Sequence, residues 1–316
     1  MDGDRALRRS GKLPGQPATC GPCGVARQRQ GRPLLTLLVT GSIALDSLQG
    51  GLVRDELGGS ALYFALAASL LQPVRLVAPV GRDAEERVLQ RLRLRPGIDA
   101  SGLDVLDAPT YRWSAREEGG RNIDLGSADA IYDSWSPRLP RRYRGWAFIG
   151  SMRPDRQNQA ARALSGAALL AADAMRSYVA SDPSSVRALL SHCHWYFANE
   201  EELAALGGRG PEQFRRAHEL GGLVVKRGAL GATVYTELGQ HHEPARFQTP
   251  VADTTGAGDA LAGGLLARWL QLRGDPQGLP EALRYGVAAA TLASSGLGQR
   301  GLLSARRSDL ETLAAA

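Results

Sequence analysis

Three cysteines in 316 residues are too few for a disulfide-built scaffold, and they are unevenly placed at Cys20, Cys23 and Cys193. Lysine is nearly missing: Lys12 and Lys226 stand against 36 arginines, a bias of composition rather than of chemistry. Long apolar runs are absent as well. "LLTLLV" (34–39) and "AALLAA" (167–172) have the length of buried strands, far short of the roughly 20 residues a membrane-spanning helix needs. The N-terminus is polar and basic, without the apolar stretch of about 7–15 residues that marks a secretory signal. A cytoplasmic location without a membrane partner is the expectation. Excess charge is also lacking over most of the chain. Residues 1–33 hold seven basic residues and two acids, which is +5 of the net +6 and leaves +1 for the other 283 residues. A nearly neutral body argues against a nucleic-acid partner.

The same 33 residues contain "CGPC" (20–23), the spelling of a thioredoxin-like redox pair. Such a pair needs a strand before it and a helix after it to lower the thiol pKa, and "GKLPGQPATCGPCGVARQRQG" offers neither. A disordered basic leader over 1–33 is expected, with one main domain over 34–316. "HCH" (192–194) has two histidines at strand spacing directly before the apolar "WYFAN", with no further ligands nearby; a structural role is expected.

After the leader, short apolar runs alternate with amphipathic ones. "PLLTLLVTGS", "VRLVAPVG" (74–81), "WAFIGS" (146–151), "AALLAAD" (167–173), "WYFAN" (195–199) and "GLVVKRG" (222–228) read as strands. "SALYFALAASLL" (60–71), "AEERVLQRLRL" (84–94) and the stretches near 155–165, 184–191 and 200–220 read as helices. This alternation predicts an α/β fold, a mostly parallel sheet with helices on both faces. From "TYRWSAREEGG" to "IYDSWS" the chain is polar and dotted with aromatics, which suggests a small β flap over roughly 108–136, shared with residues 47–57 after Asp46.

The densest glycine stretch is "VADTTGAGDALAGG" (251–264). It is not a dinucleotide fingerprint, because Leu261 stands where the third glycine of G-x-G-x-x-G belongs. It is not a Walker A loop, since no lysine follows. What remains is a turn of small residues leading into a helix. The backbone N–H groups of Gly256, Ala257 and Gly258 could face an anion there, with the positive end of a helix beginning near Asp259 behind them. A carboxylate beside such a cradle would repel a resting anion, so Asp259 reads as a proton acceptor for an attacking hydroxyl, kept ionised by the helix N-terminus. On local chemistry alone a simple N-cap explains Asp259 equally well.

"DTTGAGDALAGG" closely resembles the C-terminal signature of the PfkB, or ribokinase-like, family of sugar and nucleoside kinases, and further segments agree with that family in order from about residue 36 onward. The resemblance implies the ribokinase-like three-layer fold with a β lid. "VTGSIALD" (39–46) then supplies Asp46 as the acid that holds acceptor hydroxyls. "ELGGSALYFALAAS" (56–69) supplies Gly58 and Gly59 as pocket lining, and "NEEE" (199–202) supplies Asn199 and Glu202 for magnesium, through water. "VVKRGALGA" (224–232) places Lys226, Gly228 and Gly231 beside the nucleotide, with Thr255. Read without the family, Asn199 and Glu202 would be a helix N-terminus and Lys226 a strand end reaching solvent. Tyr63 stands where ribokinases proper carry an asparagine, and a phenol does not copy an amide's paired donor and acceptor. Arg112, with Trp113, is the candidate substrate contact from the flap. Asp253 and the loop near 294–298 are where the family holds a monovalent cation, K⁺.

The resemblance therefore implies an ATP- and Mg²⁺-dependent phosphotransferase acting on the primary hydroxyl of a sugar or nucleoside. Asp259 would be the base and the amides of 256–258 the anion hole. A homodimer through the flap is implied as well. The alternative is a ligand-binding or regulatory member of the same fold with weakened catalysis.

Overall fold

Side chains alternate between two cores along the central strands, as period-two patterning dictates. In 195–198, Trp195 and Phe197 enter one apolar cluster, and Tyr196 and Ala198 enter the other. The computed structural model describes residues 36–316 apart from 119–120 and 248–249. The expectations for residues 1–33, including the "CGPC" stretch, lie outside the described residues.

The chain begins with β1 (Leu37–Thr40), β2 (Ala44–Leu48), β3 (Val53–Gly58), α1 (Ser60–Ala68), β4 (Val74–Gly81), α2 (Glu85–Arg93) and β5 (Ile98–Leu106). A hairpin follows, β6 (Tyr111–Glu118) and β7 (Arg121–Ala128). Then come β8 (Trp146–Ile149), α3 (Pro154–Ala163), β9 (Leu169–Asp173), α4 (Arg176–Ser181) and α5 (Pro183–Leu190). The next segment holds β10 (Trp195–Asn199), α6 (Glu200–Ala205), α7 (Pro211–Ala217), β11 (Gly222–Lys226), β12 (Ala232–Thr236) and β13 (Gly239–Glu243). The chain closes with α8 (Ala257–Gln271), α9 (Leu279–Ser294), α10 (Arg300–Ser304) and α11 (Arg307–Ala315).

Nine strands form the main sheet in the order β13-β12-β11-β10-β9-β8-β1-β4-β5. All neighbours are parallel except at β12, which runs against both β11 and β13. Helices α1, α8 and α9 pack with one core and residues of α3, α5 and α7 with the other, so both faces are covered. The expected fold class is the observed one. Chain order runs outward from β1 in both directions, through β4 and through β8. That reversal is where open parallel sheets bind ligands, beyond the carboxyl ends of the strands.

The second sheet is the lid, in the order β3-β2-β6-β7. It leaves the body three residues after β1. That junction is pinned by reciprocal bonds between Ser42 and Ser60: each backbone N–H donates to the other hydroxyl, at 3.1 and 3.0 Å. The expected flap limits need correction at both ends. The sheet starts at Ala44 and stops at Ala128. Ile131, Tyr132 and Trp135 of "IYDSWS" are buried in the body core, with Trp135 Nε1 donating to Asp104 at 2.8 Å. The helix expected over 200–220 is two helices, because Gly207 and Gly210 adopt positive φ and Pro211 starts the second.

Candidate active site

Three polar residues stand at the ends of adjacent parallel strands: Asp173 closes β9, Asn199 β10 and Lys226 β11. The register sets Phe197 beside Asp173 and Asn199 beside Lys226. Lys226 Nζ donates to Asp173 Oδ2 at 2.5 Å and lies 3.8 Å from Glu202 Oε2. The lysine is therefore not the solvent-reaching strand end that its position alone suggested. Burial raises Asp173 and brings Glu202 up to about 7, Lys226 opposing both shifts. Burial alone would lower the lysine, but Asp173 and Glu202 outweigh it and hold the ammonium above its usual range. Asp173 was missed from the sequence. Its only signal is an acid ending a wholly buried run, "LLAAD".

"NEEE" forms a capping box at the start of α6. Asn199 Oδ1 accepts from Glu202 N at 2.8 Å, and Glu202 Oε2 accepts from Asn199 N at 2.7 Å. Glu200 and Glu201 turn to Arg227 (3.1 Å) and Arg176 (2.6 Å). The capping role and the proposed ion-holding role thus fall on the same two residues.

Facing these strand ends is the N-terminus of α8. The helix starts at Ala257, two residues earlier than expected, and Gly256 is its N-cap in the left-handed region at φ 73°. Asp259 is then the third helical residue and not the cap. The expectation that the helix dipole keeps it ionised also needs correction. Burial pushes Asp259 up to about 7, Asp173 and Glu202 add to that, and Lys226 opposes. About half a unit charge at a helix end does not offset lost hydration plus two neighbouring carboxylates.

Gly256 is required by contact as well as by conformation. A Cβ there would lie 2.2 Å from Cγ of Tyr63. The Tyr63 ring is 1% exposed and forms the floor of the glycine turn, which is a different place from an open pocket wall. Its hydroxyl is buried without a hydrogen-bond partner among the described residues. Burial raises it well above the usual phenol value, helped by Asp46, Asp253, Glu56 and Asp259. Of the three amides expected to face an anion, that of Ala257 donates to Thr254 O at 3.3 Å; those of Gly256 and Gly258 make no such turn bond. At Gly258 a Cβ would approach Cδ of Lys226 to 3.1 Å and Nζ to 3.4 Å. The lysine thus lies over the turn.

The residues expected to meet the acceptor lie on the lid and at its junction with α1. Asp46 on β2 is 2% exposed, and a Cβ at Gly58 would fall 1.8 Å from its Oδ2. Gly58 makes room for the acid, and Gly59 makes the turn at φ 101°. Burial raises Asp46 well above the usual carboxylate range, reinforced by Asp253, Glu56 and Asp259. Arg112 on β6 is paired with Asp55 on β3 and with Asp83 Oδ2 at 3.2 Å. Asp83 also accepts from Thr110 N (3.0 Å) and Oγ1 (2.6 Å). Trp113 Nε1 is buried without a partner among the described residues.

Asp253 is a clamp: Oδ1 accepts from Thr255 N (2.9 Å) and Oγ1 (2.7 Å), and Oδ2 from Gly298 N (2.9 Å). A cation at this carboxylate would compete with three hydrogen bonds. Gly228 and Gly231 bound the short turn between β11 and β12, both at positive φ, and Gly231 abuts the carbonyl of Glu243. His194 of "HCH" accepts from Leu170 N through Nδ1 at 2.9 Å, the structural role expected for it.

Among the described residues no three His, Cys, Asp or Glu side chains converge closely enough to hold an ion unaided. The hard carboxylate oxygens of Glu202, with Asn199 beside it, suit a magnesium ion that keeps most of its water. A glycine turn capping a helix, a half-buried acid three residues on and a charged cluster at parallel strand ends are now in place. The pfkB family carbohydrate kinase profile matches residues 45–304.

The chain belongs to the PfkB family. It is a kinase, transferring phosphate from ATP to a sugar or nucleoside. It is 30% identical over 255 residues to an ATP-dependent ribose-1-phosphate kinase of Halopiger xanaduensis, covering 78% of this chain and 83% of that protein. It is 29% identical over 276 residues to a cytidine kinase of Thermococcus kodakarensis, covering 81% and 95%. A Burkholderia thailandensis nucleoside kinase in complex with inosine has the same fold, with TM-score 0.74, 21% identity and coverage of 88% and 97%. No helix among the described residues of this PfkB member is long and apolar enough to cross a membrane.

Proposed function

We propose that this PfkB kinase phosphorylates a primary hydroxyl of its acceptor, with Asp259 as the general base. The observation that carries this reading is Asp259 itself. It is a half-buried acid pushed up to about 7, near the value at which a base is both deprotonated and strong enough to accept a proton at neutral pH. Asp46, whose pKa responds to the charge of Asp259, holds the acceptor by its other hydroxyls. Asp259 takes the proton as the acceptor oxygen attacks the γ-phosphorus, the bond to the β–γ bridging oxygen breaks and ADP leaves, and the amides of Gly256 and Gly258 with the Lys226 ammonium stabilise the moving phosphoryl group. Ala257 shapes that turn. Gly228, Gly231 and Thr255 line the nucleotide side, and Tyr63 supports the cradle from below. Asn199 and Glu202 would hold a hydrated magnesium ion, which when bound would neutralise charge on the nucleotide phosphates. Asp253 ties the signature turn to the 294–298 loop, where K⁺ would act if the enzyme uses it. The intact cluster favours an active kinase over a weakened binding protein.

The acceptor end is acidic. Glu56 acts on Asp46 through its charge, and the Arg112 guanidinium already has two carboxylate partners, Asp55 and Asp83. This favours a neutral, hydroxyl-rich acceptor such as a free sugar or nucleoside. A second reading rests on the same arginine. A sugar 1-phosphate, the substrate named for the H. xanaduensis relative, would be met by Arg112 once drawn off Asp55 and Asp83. ADP release measured with free sugars, nucleosides and ribose 1-phosphate decides between them. No turnover with any of these, alongside measurable nucleotide binding, would return the weakened-member reading. We also place a homodimer contact on the lid, where Leu52 and Leu125 are exposed. A monomer in sedimentation at micromolar concentration would refute that contact.

A further inference from the structure

We propose that Asp173 is a positioning residue for phosphoryl transfer: its carboxylate holds the Lys226 ammonium over the Gly258 turn. This rests on the kinase mechanism proposed above, but not on the identity of the acceptor.

Lys226 has more than one acid to choose from. Asp173 Oδ2 is at 2.5 Å and Glu202 Oε2 at 3.8 Å, and Asp259 is close enough for its charge to act on the lysine. Which acid wins decides what the site can do. An ammonium paired with Asp259 would tie up the base. One drawn fully to Glu202 would leave the cradle and cover the residues assigned to magnesium. Only the pairing with Asp173 leaves the ammonium beside Gly258 and keeps Asp259 available. A lysine is a point charge on a flexible four-carbon stem, so its place is set by its strongest partner rather than by its own shape.

Asp173 is itself held firmly. Gln157, on α3 and 0% exposed, donates through Nε2 to the Asp173 backbone carbonyl at 2.7 Å and to Gly150 O at 3.0 Å. One side chain thereby fixes the ends of both β8 and β9. The Asp173 side chain is 7% exposed and that of Lys226 18%, so water competes little for either charge. A buried ion pair is a poor way to stabilise a fold, since well-packed apolar residues often do as well or better. A pair kept at the carboxyl ends of β9 and β11, next to the signature turn, serves the site instead.

Because the chain has only two lysines, Lys12 and Lys226, the ammonium can be watched directly by NMR in full-length protein labelled with ¹⁵N-lysine. A proton-exchange-protected Nζ signal from Lys226 is expected in the unmodified protein. It should be lost in Asp173→Asn and retained in Asp259→Asn. In turnover, Asp173→Asn is expected to lower kcat about 10- to 100-fold with KM for ATP changed less than about threefold. In a Lys226→Met background the same substitution should change kcat less than about twofold, because the two act as a unit. Asp173→Glu keeps the charge and moves it by one methylene. It should fold, bind ADP in calorimetry with unchanged affinity, and lose kcat about tenfold. A protected signal that survives Asp173→Asn, equal losses in both backgrounds, or full kcat in Asp173→Glu would each overturn the proposal. If no acceptor is turned over by the unmodified enzyme, the kinase mechanism fails, and the NMR comparison still decides whether Asp173 holds Lys226.

Discussion

Replacing Asp259 by asparagine should make the enzyme more stable and far less active, and the stability gain should depend on pH. Burial and two neighbouring acids raise this carboxyl from its ordinary 3.8 to about 7. The folded state therefore holds a proton that the unfolded chain releases above about pH 4. Stability from this group is fully present below the unfolded value and is lost as pH rises through the folded one. The shift is about three units at ~1.4 kcal/mol each, so ionising Asp259 inside the fold costs about 4 kcal/mol at pH 8. The coupling of Asp259 to Asp173, Glu202 and Lys226 shares part of that cost, so a gain of about 2–4 kcal/mol is expected in Asp259→Asn, which cannot ionise. At about 2–4 °C per kcal/mol, Tm measured at pH 8 should rise by roughly 5–10 °C. The difference between the two proteins should shrink toward zero as pH falls to about 4, while kcat at pH 8 falls by about 10²–10⁴-fold. A Tm difference that is the same at pH 5 and pH 8, or a variant less stable than the parent at pH 8, would refute the reasoning.

Three further outcomes follow from the same geometry. In the parent enzyme kcat/KM should rise with pH through about 7 and level off above it, as Asp259 becomes able to accept a proton; a flat profile from pH 5.5 to 8.5 would remove it as the base. Gly256→Ala should cost about 2–4 kcal/mol in chemical denaturation, combining left-handed backbone strain with overpacking on Tyr63. Part of that loss should disappear in a Tyr63→Ala background, and equal losses in both would show that the ring is not the obstacle. Cys193 is buried and its thiol is pushed up to about 12. With Cys20→Ser and Cys23→Ser in place, the native protein should show no thiol reacting with Ellman's reagent within minutes, and one after unfolding.

Elements with strong local patterning were legible before any coordinates. "VRLVAPVG" and "WYFAN" match β4 and β10 residue for residue. β5 carries no such signal. Only Ile98 and Asp104–Val105 flank its half-exposed middle in a regular way, and its two well-buried positions, Ile98 and Asp104, differ in polarity. Aromatic residues misled at 131–136: they look like a flap decoration, but Ile131, Tyr132 and Trp135 belong to the body core. Motif spacing singled out Asp46, Lys226 and Asp259 as candidates, since those residues lie in strings long enough to be distinctive. It could not reveal what they touch. Asp173 meets Lys226 across 53 positions of sequence, and Tyr63 meets Gly256 through a helix-to-turn contact that no local pattern encodes. Long-range proximity also sets the pKa of Asp259, which is why the helix dipole alone gave the wrong protonation preference.

Asp46 rides on β2, the first strand of the lid, whereas Asp259 heads a helix buried in the body, and lid and body are joined at the Ser42–Ser60 bonds and again where Arg112 meets Asp83. On the proposed reading, grip on the acceptor and acceptance of its proton would fall to separate structural units. Substitutions in the appendage would then retune which alcohol is held more than they alter the proton chemistry, and substitutions in the α8 turn would do the reverse. Choice of substrate and catalytic power would be largely separable, linked through the charge that Asp46 and Asp259 feel from each other.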